Sequence, residues 1–145
     1  MDYMASFDIS ASGMAVEKMR LDIMAMNLAN ANTTRGPDGK VYTPQTVVSA
    51  AKAASFESEL ARYGNVNLSG AEIVDIQPLD KEPRIVFDPD HPDADERGYV
   101  RYPYINTVAE MIVLIEATRA YEANVKAMNA AKSMALRALE IGSSR

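Results

Sequence analysis

The chain has 145 residues, a formal net charge of −5 and 48% hydrophobic residues, which suits one modest domain and is too apolar for a disordered polymer. That acidic balance, with no local Lys/Arg cluster to offset it, argues against a grip on nucleic acid or on an anionic membrane. The absence of cysteine excludes disulfides, thiol nucleophiles and zinc sites built on thiolates.

The first ten residues, MDYMASFDIS, lack the basic and apolar regions of a cleaved signal peptide. No run approaches the roughly 18 apolar residues of a membrane span, so direct insertion is not expected. From Ser6 to about Asn32 the pattern is helical, with Phe7, Met14, Leu21 and Leu28 recurring every seven residues on one side. Ile9, Val16 and Ile23, flanked by Met19 and Met26, lie nearly opposite. Apolar lines on two sides imply burial on two sides, and in so short a chain the second burial is expected between subunits.

Asn30, Asn32, Thr33 and Thr34 favour turns over helix interiors, so the helix should stop near residue 34. Gly36-Pro37-Asp38-Gly39 reads as a tight turn. Val41 to Val48 is β-leaning but interrupted by Pro44, which suggests an edge strand or extended arm. Ala50 to Tyr63, closed by Gly64, reads as a short helix or as an excursion on a strand loop. Two short strands are expected within Val66–Gln77 and Arg84–Asp88. Pro78, Pro83, Pro89, Pro92 and Pro103 prevent this middle from continuing either helix.

A second helix is expected from Thr107, N-capped by Thr107 with Glu110 in a capping box, to Ile141, closed by a left-handed Gly142. It would span roughly 50 Å, against about 30 Å for a compact domain of this size, so part of it must lean on something else. Leu114, Thr118, Tyr121, Val125, Met128, Ala135 and Leu139 follow the spacing of a coiled-coil seam. Ile105, Ile112, Ala123, Ala130, Met134 and Ile141 run across from it.

One polar cluster is dense: Asp88, Asp90, His91, Asp93, Asp95 and Glu96, stiffened by Pro89 and Pro92. Carboxylates and an imidazole are donors for a divalent cation, but the ligand spacing of a calcium loop is absent, and a solvated turn is the expectation. His91 has no Ser or Cys partner at a recognisable spacing. No catalytic, cofactor or metal site is assigned.

Ser12-Gly13-Met14 followed by Asn27-Leu28-Ala29-Asn30-Ala31-Asn32-Thr33 resembles the N-terminal signature of bacterial flagellar rod and hook axial proteins. Glu116 to Val125, with Arg119, Tyr121 and Asn124, resembles their C-terminal helix, and Asp88 to Val100 with Tyr102-Pro103 is similar to the proximal-rod member. Tyr104-Ile105-Asn106-Thr107 departs from the Asn-Val-Asn-Val expected there.

The resemblance implies a mainly α fold, in which long N- and C-terminal helices pair as a coiled-coil-like hairpin around a small β-rich or irregular middle. Residues 1–34 and 104–145 would form the axial core and 35–103 the middle. It implies a non-enzymatic subunit of the basal-body rod that assembles helically, transmits torque across the periplasm for motility, and is exported by the flagellar type III apparatus without a cleaved leader. Partners would be other proximal and distal rod proteins and the proteins where the inner-membrane ring meets the export gate. Phe7, Met14, Leu21, Leu28, Leu114, Tyr121, Val125 and Met128 are assigned to helix pairing within the subunit. Ile9, Val16, Met19, Ile23, Met26, Ile112, Ala123 and Ala130 are assigned to neighbours. The alternatives are a distal-rod or hook protein and, more remotely, a metal-dependent enzyme using Asp88–Asp95.

Overall fold

The computed structural model describes residues 3–52 and 70–143, which form two long helices and four short strands. Helix α1 covers Tyr3–Ala29 and α2 covers Thr107–Ser143; between them lie β1 (Gln45–Ala51), β2 (Ala71–Pro78), β3 (Arg84–Phe87) and β4 (Tyr99–Tyr102). The helices pack along each other. Gly13 lies against Asn124, while Glu17 and Arg20 share a groove with Val113, Ala117 and Ala120, so the two run antiparallel.

Helix α1 ends about a turn before the last of its turn-forming residues. The Asn30 side-chain Nδ2 donates to the Met26 carbonyl (2.9 Å) and the Ala31 N–H donates to the Leu28 carbonyl (3.2 Å), which tightens the last turn and stops propagation. The turn at Gly36–Gly39 then reverses the chain, with the Gly36 N–H on the Lys40 carbonyl (2.7 Å) and Gly39 at φ 75°.

Strand β1 begins only after Pro44, which sits buried ahead of the ladder instead of within it. It pairs antiparallel with β2, with a bulge opposite Val48/Ser49. The expected Ala50–Tyr63 helix falls mostly on 53–69, outside the described residues, while Ala50 and Ala51 belong to β1. Strand β3 pairs antiparallel with β4. Strand β4 escapes the sequence pattern because four residues are too few to establish an alternation.

The cap of α2 is Asn106, not Thr107: its Oδ1 accepts the N–H groups of Val108 (3.1 Å) and Ala109 (3.2 Å). Asparagine is among the best N-caps, and a single side-chain oxygen satisfies two orphan donors there. Gly142 remains helical and has no positive φ, so the left-handed closure expected there is absent.

The β1–β2 ribbon lies along α1, pinned at three heights. Asn27 holds Gln45, Arg20 donates to Ser49 Oγ (2.9 Å), and Ser12 Oγ accepts the Ala71 N–H (3.1 Å). A seven-residue strand and about fifteen helical residues both cover roughly 22 Å, so ribbon and helix stay in step. The core closed by these contacts is small. Among the described residues its buried apolar members are Val16, Ile23, Met24, Val100, Ala117 and Ala131, with Pro44 and Pro103. The surface is 10873 Å², about half as large again as the roughly 7300 Å² expected of a compact monomer of this mass.

Candidate assembly surfaces

Polar residues of the two terminal motifs fasten the chain to itself. Asn27, 1% exposed, donates from Nδ2 to the Gln45 carbonyl (2.8 Å), while its Oδ1 accepts from the Gln45 N–H (2.9 Å) and the Tyr42 hydroxyl (3.0 Å). Ser12 donates to the Ile9 carbonyl (2.8 Å) while taking the Ala71 N–H. Gly13 lets α2 approach: a Cβ there would stand 2.9 Å from the Asn124 amide, which is itself tied to the Ala120 carbonyl (3.0 Å). Asn30 accepts from Thr33 Oγ1 (3.1 Å) at the helix end, whereas Asn32 and Arg119 face solvent.

The apolar residues divide differently. Phe7, Met14, Leu21 and Leu28 are half-buried, as are Leu114, Thr118, Tyr121, Val125, Met128 and Ala135. Val16 (4% exposed) and Ile23 (3%), which the periodicity points at neighbours, are instead enclosed by the chain's own elements, since α2 and the β1–β2 ribbon both pack on α1. Ile9 and Met19 are half-buried, and Met26, Ile112, Ala123 and Ala130 are exposed. Periodicity located two apolar sides of α1 but was silent about a ribbon folding over one of them.

Among the described residues, three groups of exposed apolar side chains stand out beside the Val74/Ile76 pair on β2. Val108, Met111, Ile112 and Ile115 form a stripe at helical spacing on the first turns of α2. Leu136, Leu139 and Ile141 stand exposed at its far end. Ile85, Phe87 and Tyr99 share the outer face of the β3–β4 hairpin, with Phe87 and Tyr99 in edge contact at 5.3 Å. Gly98, at φ 79°, permits that arrangement, because a Cβ there would strike the Phe87 ring at 3.0 Å. The composition of the α2 stripe carries its signal, an i, i+3, i+4, i+7 run with no polar interruption, although the seam assignment passed over most of it.

The acidic loop is structural in its contacts. Asp93 accepts the Thr34 hydroxyl (2.6 Å) and lies 3.8 Å from Arg35, tying the loop after α1 to the loop before β4. Asp95 accepts the N–H groups of Tyr99 (2.8 Å) and Arg97 (2.9 Å); the Tyr99 bond above all holds its carboxyl below the usual carboxylate range. His91 Nδ1 takes the Asp93 N–H (3.0 Å), and its ring stands edge-on to Tyr102. Among the described residues no three His, Asp or Glu groups are arranged to hold a metal ion, and no helix is long and apolar enough to cross a membrane.

Comparison with known proteins places these features in context. Residues 7–37 match the family model described as flagella basal body rod protein, and residues 96–141 match that of the flagellar basal body rod FlgEFG protein C-terminal region. The chain is 38% identical to the flagellar basal-body rod protein FlgC of Bacillus subtilis, across 94% of this chain and 96% of that protein. It is 39% identical to the FlgC of Escherichia coli O6:H1, across 94% and 95%. It is 34% identical to that of Borreliella burgdorferi, across 97% and 98%.

Proposed function

The chain belongs to the FlgC family of flagellar basal-body rod proteins, and on that premise we propose that it is a non-enzymatic subunit of the proximal rod, built to be completed by its neighbours. The observation that carries this reading is the uninterrupted stripe of Val108, Met111, Ile112 and Ile115 left in water on a helix that the chain caps and orients with care. An apolar stripe of this kind marks an interaction surface when it stands on a well-formed helix. The excess surface and the small core support the same reading, because ordering two long helices costs entropy that so few buried side chains repay only in part.

In this reading α1 and α2 pair as a coiled-coil-like hairpin along Phe7, Met14, Leu21 and Leu28 facing Leu114, Tyr121, Val125 and Met128. Residues 1–34 and 104–145 supply the axial core, and residues 35–103 dress it. Subunits meet through unlike surfaces, which generates an open helical filament when the rotation does not close. The partners are other proximal and distal rod proteins, with the ring and export-gate junction below, and the flagellar type III apparatus delivers the chain to the periplasm. Torque passes through packed side chains. Because Val16 and Ile23 are enclosed, the neighbour-facing role falls to Met26, Ile112, Ala123 and Ala130 together with the rest of the α2 stripe.

Replacing Ile112 (52% exposed) by Asp tests this. The variant should keep its monomer stability within about 0.5 kcal/mol, as surface changes do, while vanishing from purified basal bodies and abolishing motility. Normal incorporation would remove the stripe from the assembly surface.

A further inference from the structure

We propose that the β3–β4 hairpin, with the loop between its strands, is a hinged arm that Asp93 latches to the segment following α1, so that releasing the latch re-aims the apolar face the arm carries. Among the described elements, no Cα of β3 or β4 lies within 8 Å of either helix or of the β1–β2 ribbon, whereas the ribbon lies along α1 and α1 along α2. The arm is approached by loops alone. Its one fully enclosed side chain, Val100, stands opposite Val86 in the ladder. A two-stranded hairpin with no helix packed behind it is marginal by itself, and such a unit opens separately from the rest of a chain.

Two openings leave the arm room to turn. A cleft of about 610 Å³ has Tyr99 and Arg101 of the arm on one side and Lys40 and Val41 of the loop after α1 on the other. A second, of about 290 Å³, lies between Arg84 and the start of α2 at Asn106 and Thr107. The arm joins the rest of the chain through residues 79–83 and 103–106. Lys81 sits over the Tyr104 ring at 5.0 Å, so these two connections run side by side and offer a single axis. Hinges are commonly a few residues at the ends of elements, as here. The Leu79 N–H, held by the Pro44 carbonyl (2.7 Å), anchors the fixed side of that axis. Against this freedom stands the latch: Asp93 accepts the Thr34 hydroxyl at 2.6 Å and lies 3.8 Å from the Arg35 guanidinium. Among the described residues no other hydrogen bond or ion pair joins residues 84–102 to the rest of the chain. The hydroxyl bond is the stronger half, being short and made to an ionised acceptor, whereas Arg35, 69% exposed along its side chain, is screened by solvent. Ile85, Phe87 and Tyr99 travel with the arm. Resting on the rod-subunit reading, the consequence is that a fixed helix pair meets its neighbours beside an apolar face whose angle adjusts on docking.

Amide hydrogen exchange on the full-length monomer tests the hinge independently of the rod. The amides of Arg84–Phe87 and Tyr99–Tyr102 should open together and faster than those of the β1–β2 ribbon. Thr34→Val removes the hydroxyl and should speed exchange in the arm about tenfold, with ribbon and helix amides unchanged and helix content intact by circular dichroism. Arm and ribbon opening as one unit in the wild type, or a rise in Thr34→Val spread equally over the helices, overturns the proposal. The chain has no cysteine, so a short bifunctional thiol reagent can bridge Lys40→Cys/Arg101→Cys across the cleft. The bridge should cancel the effect of Thr34→Val on exchange and reduce co-sedimentation of the chain with other purified rod proteins, relative to the same variant left unbridged. Equal co-sedimentation would show that the arm docks without turning and overturn its role in assembly. A wild-type chain that sediments with none of those proteins counts against the rod reading instead, and leaves the exchange result as the measure of the hinge.

Discussion

Asn27→Ala should be the most damaging single truncation among the motif residues. The side chain is 1% exposed and makes three hydrogen bonds of 2.8–3.0 Å, to both backbone groups of Gln45 and to Tyr42. Alanine removes all three and strands the Gln45 N–H and carbonyl and the Tyr42 hydroxyl at a site with little room for water. At about 1 kcal/mol net for each bond, the loss comes to about 3 kcal/mol. Against a total of roughly 5–15 kcal/mol for a domain, that is a substantial fraction. Urea unfolding of the monomer, followed by far-ultraviolet circular dichroism, measures it as a fall in midpoint at unchanged slope. Tyr42→Phe removes one of the three bonds and should cost about 1 kcal/mol, with the double variant no worse than Asn27→Ala alone, because the pair share that bond. A loss below about 1 kcal/mol for Asn27→Ala would mean that the ribbon is not held to α1 through this residue, and the account of the motif would fail.

Two further outcomes follow from the same geometry. Ser12→Ala removes the acceptor of the Ala71 N–H and should cost about 1–2 kcal/mol; since Ser12 and Asn27 stand roughly 22 Å apart along α1, its effect should add to that of Asn27→Ala within about 0.5 kcal/mol in the same unfolding assay. Burial first, and the nearby Glu110 carboxylate second, push the Tyr42 hydroxyl above its ordinary range. The folded chain then keeps a proton that the unfolded chain gives up, so this contribution to stability is complete below pH of about 10 and is lost as pH rises through the folded value. Unfolding measured from pH 8 to 11 should show the decline in wild type and less of it in Tyr42→Phe, and equal slopes would refute the assignment.

The helices were legible because their apolar residues repeat over many turns, and a long repeat survives local noise. Their ends were less so. Asn106 and Thr107 are both good caps, and only the observed bonds from Asn106 Oδ1 decide between them. Gly142 continues the helix, and among the described residues a Cβ there would meet no atom within 4 Å. The assignment of seams to partners was the part that sequence carried least. Val16 and Ile23 have the spacing of an interface and are enclosed by a ribbon from a distant part of the chain, which helix periodicity cannot register. Leu139 has the spacing of the intramolecular seam but lies past the end of α1, and is therefore exposed.

The division of labour between polar and apolar residues accounts for the rest. In an ordinary small domain the apolar residues close the core and the polar motif residues face outward. Here Asn27, Ser12, Gly13 and Asn124 occupy the inside contacts, while Val108, Met111, Ile112, Ile115, Leu136 and Leu139 face out. Directional hydrogen bonds suit the inner role, because a bond at 2.8 Å fixes the height of a ribbon on a helix, whereas apolar contact tolerates sliding. On the proposed rod reading, non-directional burial suits the outer role, and methionine adapts to irregular partners. A subunit stiffened inside by hydrogen bonds and left apolar outside gains its remaining stability only as others are added. On the proposed rod reading, the same side chains that leave the monomer incomplete are the ones that hold the assembly together.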